Sequence, residues 1–330
     1  MNLSEFQLIA KIRSQVTFHS PQVICGIGDD CAVVERGGGV YFLLTTDCVV
    51  EKIHFEPKFF TAFEVGKKAF AASLSDIAAM GGTPKYALIT LGIPAVTPDK
   101  WIDELYTGFL QEAQSFNVSI VGGDISRSPT GFWTSLTQVG EVENKHCKFR
   151  KGAKKGDSIY VTGPLGSSAL GFHLLKKGKA SESPYVRAHK TPRARIGAGR
   201  FLGKETGVTS MIDLSDGLLK DLGHILEQSH VGARLQFNQI PRERDFELLV
   251  REYKLSLYDL VLGGGEDYQL LFTVDSVMEA DMQKRAQKVG FKFYPIGTIV
   301  DVEEGVKVFD EHSMELKKVK KGFDHFLSGT

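Results

Sequence analysis

Aspartate recurs in this chain at the ends of apolar runs and, once, inside one. That placement constrains the fold more than any other feature. Asp29 and Asp30 follow Val23-Ile24 in Gly26-Ile27-Gly28-Asp29-Asp30, and Asp47 ends the run Phe42-Leu43-Leu44-Thr45-Thr46. Asp124 follows Ile120-Val121-Gly122-Gly123, and Asp213 and Asp216 follow Met211-Ile212. Asp76 lies inside Phe70 to Met80, a stretch otherwise built from Ala, Ser, Leu and Ile. One aspartate after a strand is ordinarily a turn former or a helix cap. A whole series without adjacent Lys or Arg is harder to explain that way, and a carboxylate in an apolar helix is costly to bury alone. Converging carboxylates repel one another unless a multivalent cation neutralises them. Oxygen ligands suit Mg²⁺, which is typically held by few protein carboxylates together with substrate phosphates. The expectation is a fold that gathers these side chains around several Mg²⁺ ions and a polyphosphate.

The length of 330 residues suggests two domains at ~150 residues each. Lys+Arg and Asp+Glu are 40 each, so no bulk basic surface is available for nucleic acid. Glycine is over-represented, with 35 residues against about 23 at average usage, which points to tight turns and close backbone approaches. The cysteines Cys25, Cys31, Cys48 and Cys147 form no Cys-x-x-Cys pair, so reduced thiols without a metal are expected. Met1 to Ile12 lacks a basic start followed by a long apolar run, and no stretch reaches the ~18 apolar residues of a membrane helix. A cytoplasmic location, with no membrane and no nucleic-acid partner, is expected.

Strand patterns are predicted over Tyr41–Thr46, Tyr86–Gly92, Val118–Val121 and Phe132–Gly140, and helical ones over Ala62–Met80 and Asp99–Phe116. Further on, Ser158–Thr162, Val208–Asp213, Gln269–Val274 and Pro295–Val300 read as strands, with helices from about Ser167 and Gly217 and another before Pro295. The mixed order indicates an α+β protein rather than strict βαβ alternation. The basic stretch Glu141–Asp157 reads as a domain connection or a phosphate-facing loop, and Lys176–Pro192 as a surface loop. The expected division is 1–145 and 146–330.

No Walker A loop occurs. Gly197 to Gly203 nearly imitates a dinucleotide fingerprint with one residue too many, on a helical pattern, and reads as helix packing. Gly163-Pro164-Leu165-Gly166-Ser167-Ser168 follows a strand and opens a helix, so it suits either an anion or a plain turn and cap. Gly122-Gly123-Asp124 and Gly263-Gly264-Gly265-Glu266-Asp267 offer further close backbone approach.

Taken in order, Gly-Ile-Gly-Asp-Asp, Thr-Thr-Asp with a downstream His-Phe, Ser-Leu-Ser-Asp-Ile-Ala-Ala-Met-Gly-Gly, Gly-Gly-Asp, Asp-Leu-Ser-Asp-Gly-Leu and Gly-Glu-Asp-Tyr resemble the thiamine-monophosphate kinase family, within the aminoimidazole ribonucleotide synthetase-like superfamily. The resemblance runs from about Gly26 to Phe326. It implies ATP-dependent phosphorylation of thiamine monophosphate to thiamine diphosphate by direct in-line γ-phosphoryl transfer. It also implies an N-terminal α/β domain that binds ATP and Mg²⁺ and pairs its sheet across a homodimer, and a C-terminal α/β domain closing over substrate. Mg²⁺ would be held by Asp30, Thr45, Thr46, Asp47, Asp76, Asp124 and Asp213, with Asp216 near another ion and Asp29 acting indirectly. ATP would meet Tyr106, Gly123, Asp124, Arg150 and Ser215, and thiamine monophosphate would meet His54, Glu266 and Phe323. Asp30, Asp47, Asp124 and Arg150 would carry the catalysis. Two departures stand out: Lys52 where relatives commonly have glycine, and Phe323 where tryptophan is common. The alternative is another ATP-dependent synthetase of the superfamily. Its selenophosphate branch would require a reactive thiol, for which Cys25 is the one candidate in the N-terminal segment.

Overall fold

The computed structural model describes residues 4–178, 183–316 and 322. The first half comprises α1 (Glu5–Arg13), β1 (Val23–Cys25), β2 (Ala32–Gly37), β3 (Val40–Val50), α2 (Ala62–Ala79), β4 (Thr83–Pro94), α3 (Asp99–Ser115), β5 (Ser119–Ser128) and β6 (Trp133–Glu143). Its strands form one sheet in the order β1-β2-β3-β6-β4-β5. All neighbours are antiparallel except β4 and β5, whose parallel pairing requires the α3 crossover. β3 shows the period of two expected of a half-buried strand: Leu43, Thr45 and Val49 are buried, while Leu44, Thr46 and Cys48 face out.

Helix α2 is the pivot of the molecule. Thr61 and Glu64 close a capping box at its start, with Glu64 N–H donating to Thr61 Oγ1 (3.2 Å) and Thr61 N–H to Glu64 Oε2 (2.8 Å). Most of its residues are buried on every side, because Ala, Ser and Gly let neighbouring backbones approach. A Cβ on Gly66 would stand 2.4 Å from the Leu105 carbonyl, and one on Gly108 would stand 2.2 Å from that of Phe63, so α2 and α3 cross in near-backbone contact.

The second half comprises β7 (Ser158–Val161), α4 (Ser167–Lys176), α5 (Pro184–Lys190), α6 (Ile196–Lys204), β8 (Val208–Asp213), α7 (Leu218–Ser229), β9 (Gly232–Gln236), α8 (Phe246–Glu252), α9 (Leu257–Gly263), β10 (Leu270–Val274), α10 (Glu279–Lys288), β11 (Tyr294–Val300) and β12 (Val306–Phe309). Its sheet runs β12-β9-β11-β7-β10-β8, antiparallel except for β12 beside β9. Two mixed sheets with helices make the α+β class. The cores of the halves are not separate: Leu74, Ile77 and Met80 share one apolar cluster with Leu202, Met211, Phe272 and Phe293. The other face of the second sheet has its own cluster around Leu170, Leu222, Phe246 and Leu271.

Several expectations need correction. Lys176–Pro192 is not simply a surface loop: Pro184 opens α5, whose Tyr185, Val186, His189 and Lys190 are buried. The polarity of that segment misled because its His and Lys meet carboxylates inside the protein. The Gly122-Gly123-Asp124 run does not follow a strand but lies within β5, and Gly123 has a packing reason, since a Cβ there would meet the Ile89 carbonyl at 1.8 Å. Lys52 adopts φ 67°, a left-handed conformation that explains why glycine suits its position.

Gly197 to Gly203 does serve helix packing, because α6 lies on α2 with Gly199 at the seam. A Cβ there would meet the Ala78 carbonyl at 2.1 Å. Gly199→Ala should therefore destabilise the protein by about 1–3 kcal/mol, read as a lower midpoint in thermal or urea unfolding. An unchanged midpoint would show that α6 shifts away without cost.

Candidate active site

The carboxylates converge at the end of α2. Asp30 comes from the loop between β1 and β2, Asp76 from the last turn of α2, and Asp213 from the last residue of β8. One oxygen from each lies within 4.8 Å of the others. Thr45, on the inward face of β3, donates its hydroxyl proton to Asp76 Oδ2. Asp30 accepts from Arg150 Nη2 (2.6 Å) and Nε (3.3 Å) through Oδ1 alone. Its Oδ2 is buried with no hydrogen-bond partner, and so is Oδ2 of Asp47. The Arg150 N–H donates to Asp29 Oδ2 at 3.2 Å. Gln228 Nε2, from α7, donates to the Gly28 carbonyl at 2.6 Å, so both halves of the chain grip this loop.

Burial dominates the electrostatics. It pushes the Asp29 carboxyl up to about 7, with the Asp30 charge adding, and the Asp47 carboxyl up to about 6, again with Asp30 adding. Burial also raises Asp30, Asp76 and Asp213. The charges of Asp47, Asp213 and Asp30 add to the effect at Asp76, as does its place at the negative end of a helix. Hard oxygen donors, two of them orphaned and buried, form a set that a divalent cation fits.

Other expected site residues lie elsewhere. Across the first sheet, Thr46 pairs with Thr137 and Asp124 with Thr90 on the outward face, opposite Thr45 and Asp47. Thr46 Oγ1 accepts from Thr137 Oγ1 at 3.2 Å. Asp124 is exposed on the edge strand beside Gly123. Asp216 is paired with Lys220 at 2.8 Å, and its N–H donates to Asp221 Oδ2 at 3.1 Å. Tyr106, on α3, packs edge-on against Phe109 with ring centroids 5.6 Å apart. Ser215 accepts the Glu266 N–H at its carbonyl (2.7 Å). His54, in the turn after β3, accepts the Val50 N–H at Nδ1 (3.0 Å), which leaves a neutral ring's proton on Nε2. Glu266 stands at φ 63°, a strained backbone of the kind found at functional sites. Phe323 lies outside the described residues.

The Gly163–Ser168 question resolves as a cap. Asp267 Oδ2 accepts the Gly166 N–H (2.6 Å) and Oδ1 the Ser168 N–H (3.0 Å), so the start of α4 is already capped by a carboxyl group of its own chain. Sequence reasoning missed Asp267 in that role, as well as Asp221, Lys68 and His189. The available signal was the pair Lys67-Lys68, two adjacent cations in a helix otherwise rich in Ala, Ser and Phe. A cleft of about 620 Å³ lined by Pro164, Arg242, Arg244, Lys292 and Tyr294 includes none of the site residues. Its Arg242 already donates to the Phe237 and Ile240 carbonyls.

Residues 28–142 match the AIR synthase related protein, N-terminal domain, and residues 154–309 its C-terminal domain. Thiamine-monophosphate kinase of Escherichia coli (strain K12) is 33% identical over 99% of this chain and 100% of its own length. That of Bacillus subtilis (strain 168) is 32% identical over 98% and 100%. The chain belongs to the thiamine-monophosphate kinase family. Among solved members, AaThiL complexed with AMPPCP and TMP superposes with a TM-score of 0.85 at 32% identity, over 99% of each chain. Hydrogenase maturation protein HypE shares the fold of this family at 16% identity and a TM-score of 0.71, over 92% of this chain and 95% of its own. Among the described residues no helix is long and apolar enough to cross a membrane.

The raised carboxyl of Asp47 sets a pH dependence. Folded, it holds its proton up to about 6; unfolded, it releases it near 3.9. Stability therefore falls as pH rises through that window, and the whole penalty is present at pH 7.5. Asp47→Asn should raise the melting temperature of the metal-free protein at pH 7.5 by about 2–4 °C, with the gain vanishing near pH 4. Differential scanning fluorimetry in a chelator reads this directly, and an equal gain at both pH values would rule out charge as the cause.

Proposed function

We propose that this chain transfers the γ-phosphoryl group of ATP to the phosphate of thiamine monophosphate, yielding thiamine diphosphate and ADP. The observation that carries this reading is the convergence of Asp30, Asp76 and Asp213 beside unpaired oxygens of Asp30 and Asp47, in a chain that superposes over 99% of its length on AaThiL complexed with AMPPCP and TMP. The acceptor is a phosphate oxygen, already anionic near neutral pH, so no strong general base is needed. The barrier is the approach of two anions in line. Bound Mg²⁺ would supply the screening and orientation of those charges. Asp30, Thr45, Asp47, Asp76 and Asp213 would hold it from one side. Thr46, whose hydroxyl faces away, would offer only its carbonyl; Asp124 and Asp216 would hold further ions.

Arg150 bridges Asp29 and Asp30 in the structure. In the proposed reaction its guanidinium orients the transferred group and stabilises its charge. Tyr106, Gly123, Asp124 and Ser215 complete the ATP contacts, and His54, Glu266 and Phe323 hold thiamine monophosphate. The boundary near residue 145 would let the second half close over the substrate. A homodimer belongs to the same proposal. Leu44, Tyr86 and Leu88 are exposed apolar residues on the outward face of the first sheet, and such a face calls for a partner.

Incubation with ATP, thiamine monophosphate and Mg²⁺ should give thiamine diphosphate and ADP one for one by chromatography, with no product in a chelator. ATP binding without thiamine diphosphate at any Mg²⁺ concentration would overturn the proposal. Asp47→Asn should lower kcat by about 10²-fold or more in a folded protein. Leu88→Asp should convert a dimer to a monomer in light scattering; a wild-type monomer at working concentration would remove the dimer from the proposal.

A further inference from the structure

Lys68 is the most deeply buried cation of the described residues, 1% exposed, on the helix that joins the two halves. Its ammonium lies 2.7 Å from Glu266 Oε1 and donates to the His54 carbonyl at 3.0 Å. One side chain from α2 therefore ties the turn after β3, in the first half, to the Gly-rich loop before β10, in the second. Phe60 backs the contact, with Lys68 Nζ 5.3 Å and the His189 ring 5.6 Å from its centroid. His189, on α5, places Nδ1 3.3 Å from Glu266 Oε2 and 3.0 Å from Ser168 Oγ. Burial first, then the Lys68 charge, lowers its imidazolium to about 3, so it stands neutral beside Glu266. Of the Glu266 carboxylate oxygens, Oε1 meets the Lys68 charge at ion-pair distance without hydrogen-bond geometry and Oε2 lies beside the neutral His189 ring, so both neighbours come from outside its own loop, at a residue whose backbone is already in a strained conformation.

We infer that Lys68 is a positioning residue for the acceptor substrate, setting the spacing between Glu266 and His54 across the seam of the two halves. The inference rests on the reading of those two residues as substrate contacts. A buried ammonium has no reason to be there on stability grounds alone, since an apolar side chain of similar volume fills such a slot at no greater cost when its partner is neutralised too. What the ammonium adds is direction. It fixes a carboxylate and a carbonyl that belong to different parts of the chain, so the substrate meets a preset pair of groups rather than two independently mobile loops.

The test is a coupling measurement on the full-length protein with separate KM values for the two substrates. Glu266→Gln and Lys68→Met should each raise KM for thiamine monophosphate by about tenfold or more while KM for ATP stays within about twofold. The double variant should be no worse than the more affected single one, because Lys68 acts through Glu266. Met leaves the Glu266 carboxylate unpaired, so Lys68→Gln, with a shorter donor arm, is measured alongside, and the same split is expected of it. A Lys68 variant with unchanged KM, one that moves both KM values alike, or additive losses in the double variant would overturn the inference while leaving Glu266 as a contact. No effect from Glu266→Gln would remove Glu266 from the substrate site, and the inference with it.

Discussion

Mutual repulsion among buried carboxylates at the end of α2 is the constraint on which the rest of the structure depends. Asp30, Asp76 and Asp213 arrive from three separated parts of the chain, and each is held above its ordinary carboxyl range by burial. A fold does not bring such groups together for stability. It does so when the opposing charge is supplied by a ligand, and the surrounding architecture then has to hold the groups in place against their own repulsion. Thr45 and Arg150 do part of that work, leaving Oδ2 of Asp30 and of Asp47 unpaired.

The helix that carries Asp76 also carries the coupling between the halves. Its small residues allow α3 and α6 to approach at backbone distance, and its apolar residues belong to a core that continues into the second sheet. Rigid placement of α2 thus locates Asp76 relative to both Asp30 and Asp213. Eight residues earlier the same helix presents Lys68 to Glu266 and to the His54 carbonyl. One helix therefore sets two regions, the carboxylate cluster and the proposed acceptor pocket.

Much of the fold was legible because it depends on local periodicity. The alternation in β3 and the small-residue pattern of α2 describe their own burial, and Asp213 ends β8 where its apolar run stops, whereas Asp47 does not end its strand, because β3 runs on through it to Val50. Lys176–Pro192 was misread because composition reports polarity and not what the polar groups meet: His189 and Lys190 face Glu266 and Glu64 inside the protein. The same limit applied to Gly163–Ser168, where an anion site and a cap look alike until Asp267 is seen to occupy the helix start. Thr46 and Asp124 were grouped with Thr45 and Asp47 by motif, yet strand register turns their side chains to the other face of the sheet.

By itself the sequence determined the elements, the inventory of carboxylates and the family resemblance, since propensity, period and motif order are all written along the chain. Tertiary structure alone decided which oxygen atoms converge, which are already paired and which cation directs Glu266. Those outcomes depend on contacts between residues up to two hundred positions apart, such as Gln228 on the Gly28 carbonyl and Lys68 on Glu266. Contacts of that range follow from the register of two sheets and the seat of one helix between them, which no local pattern specifies.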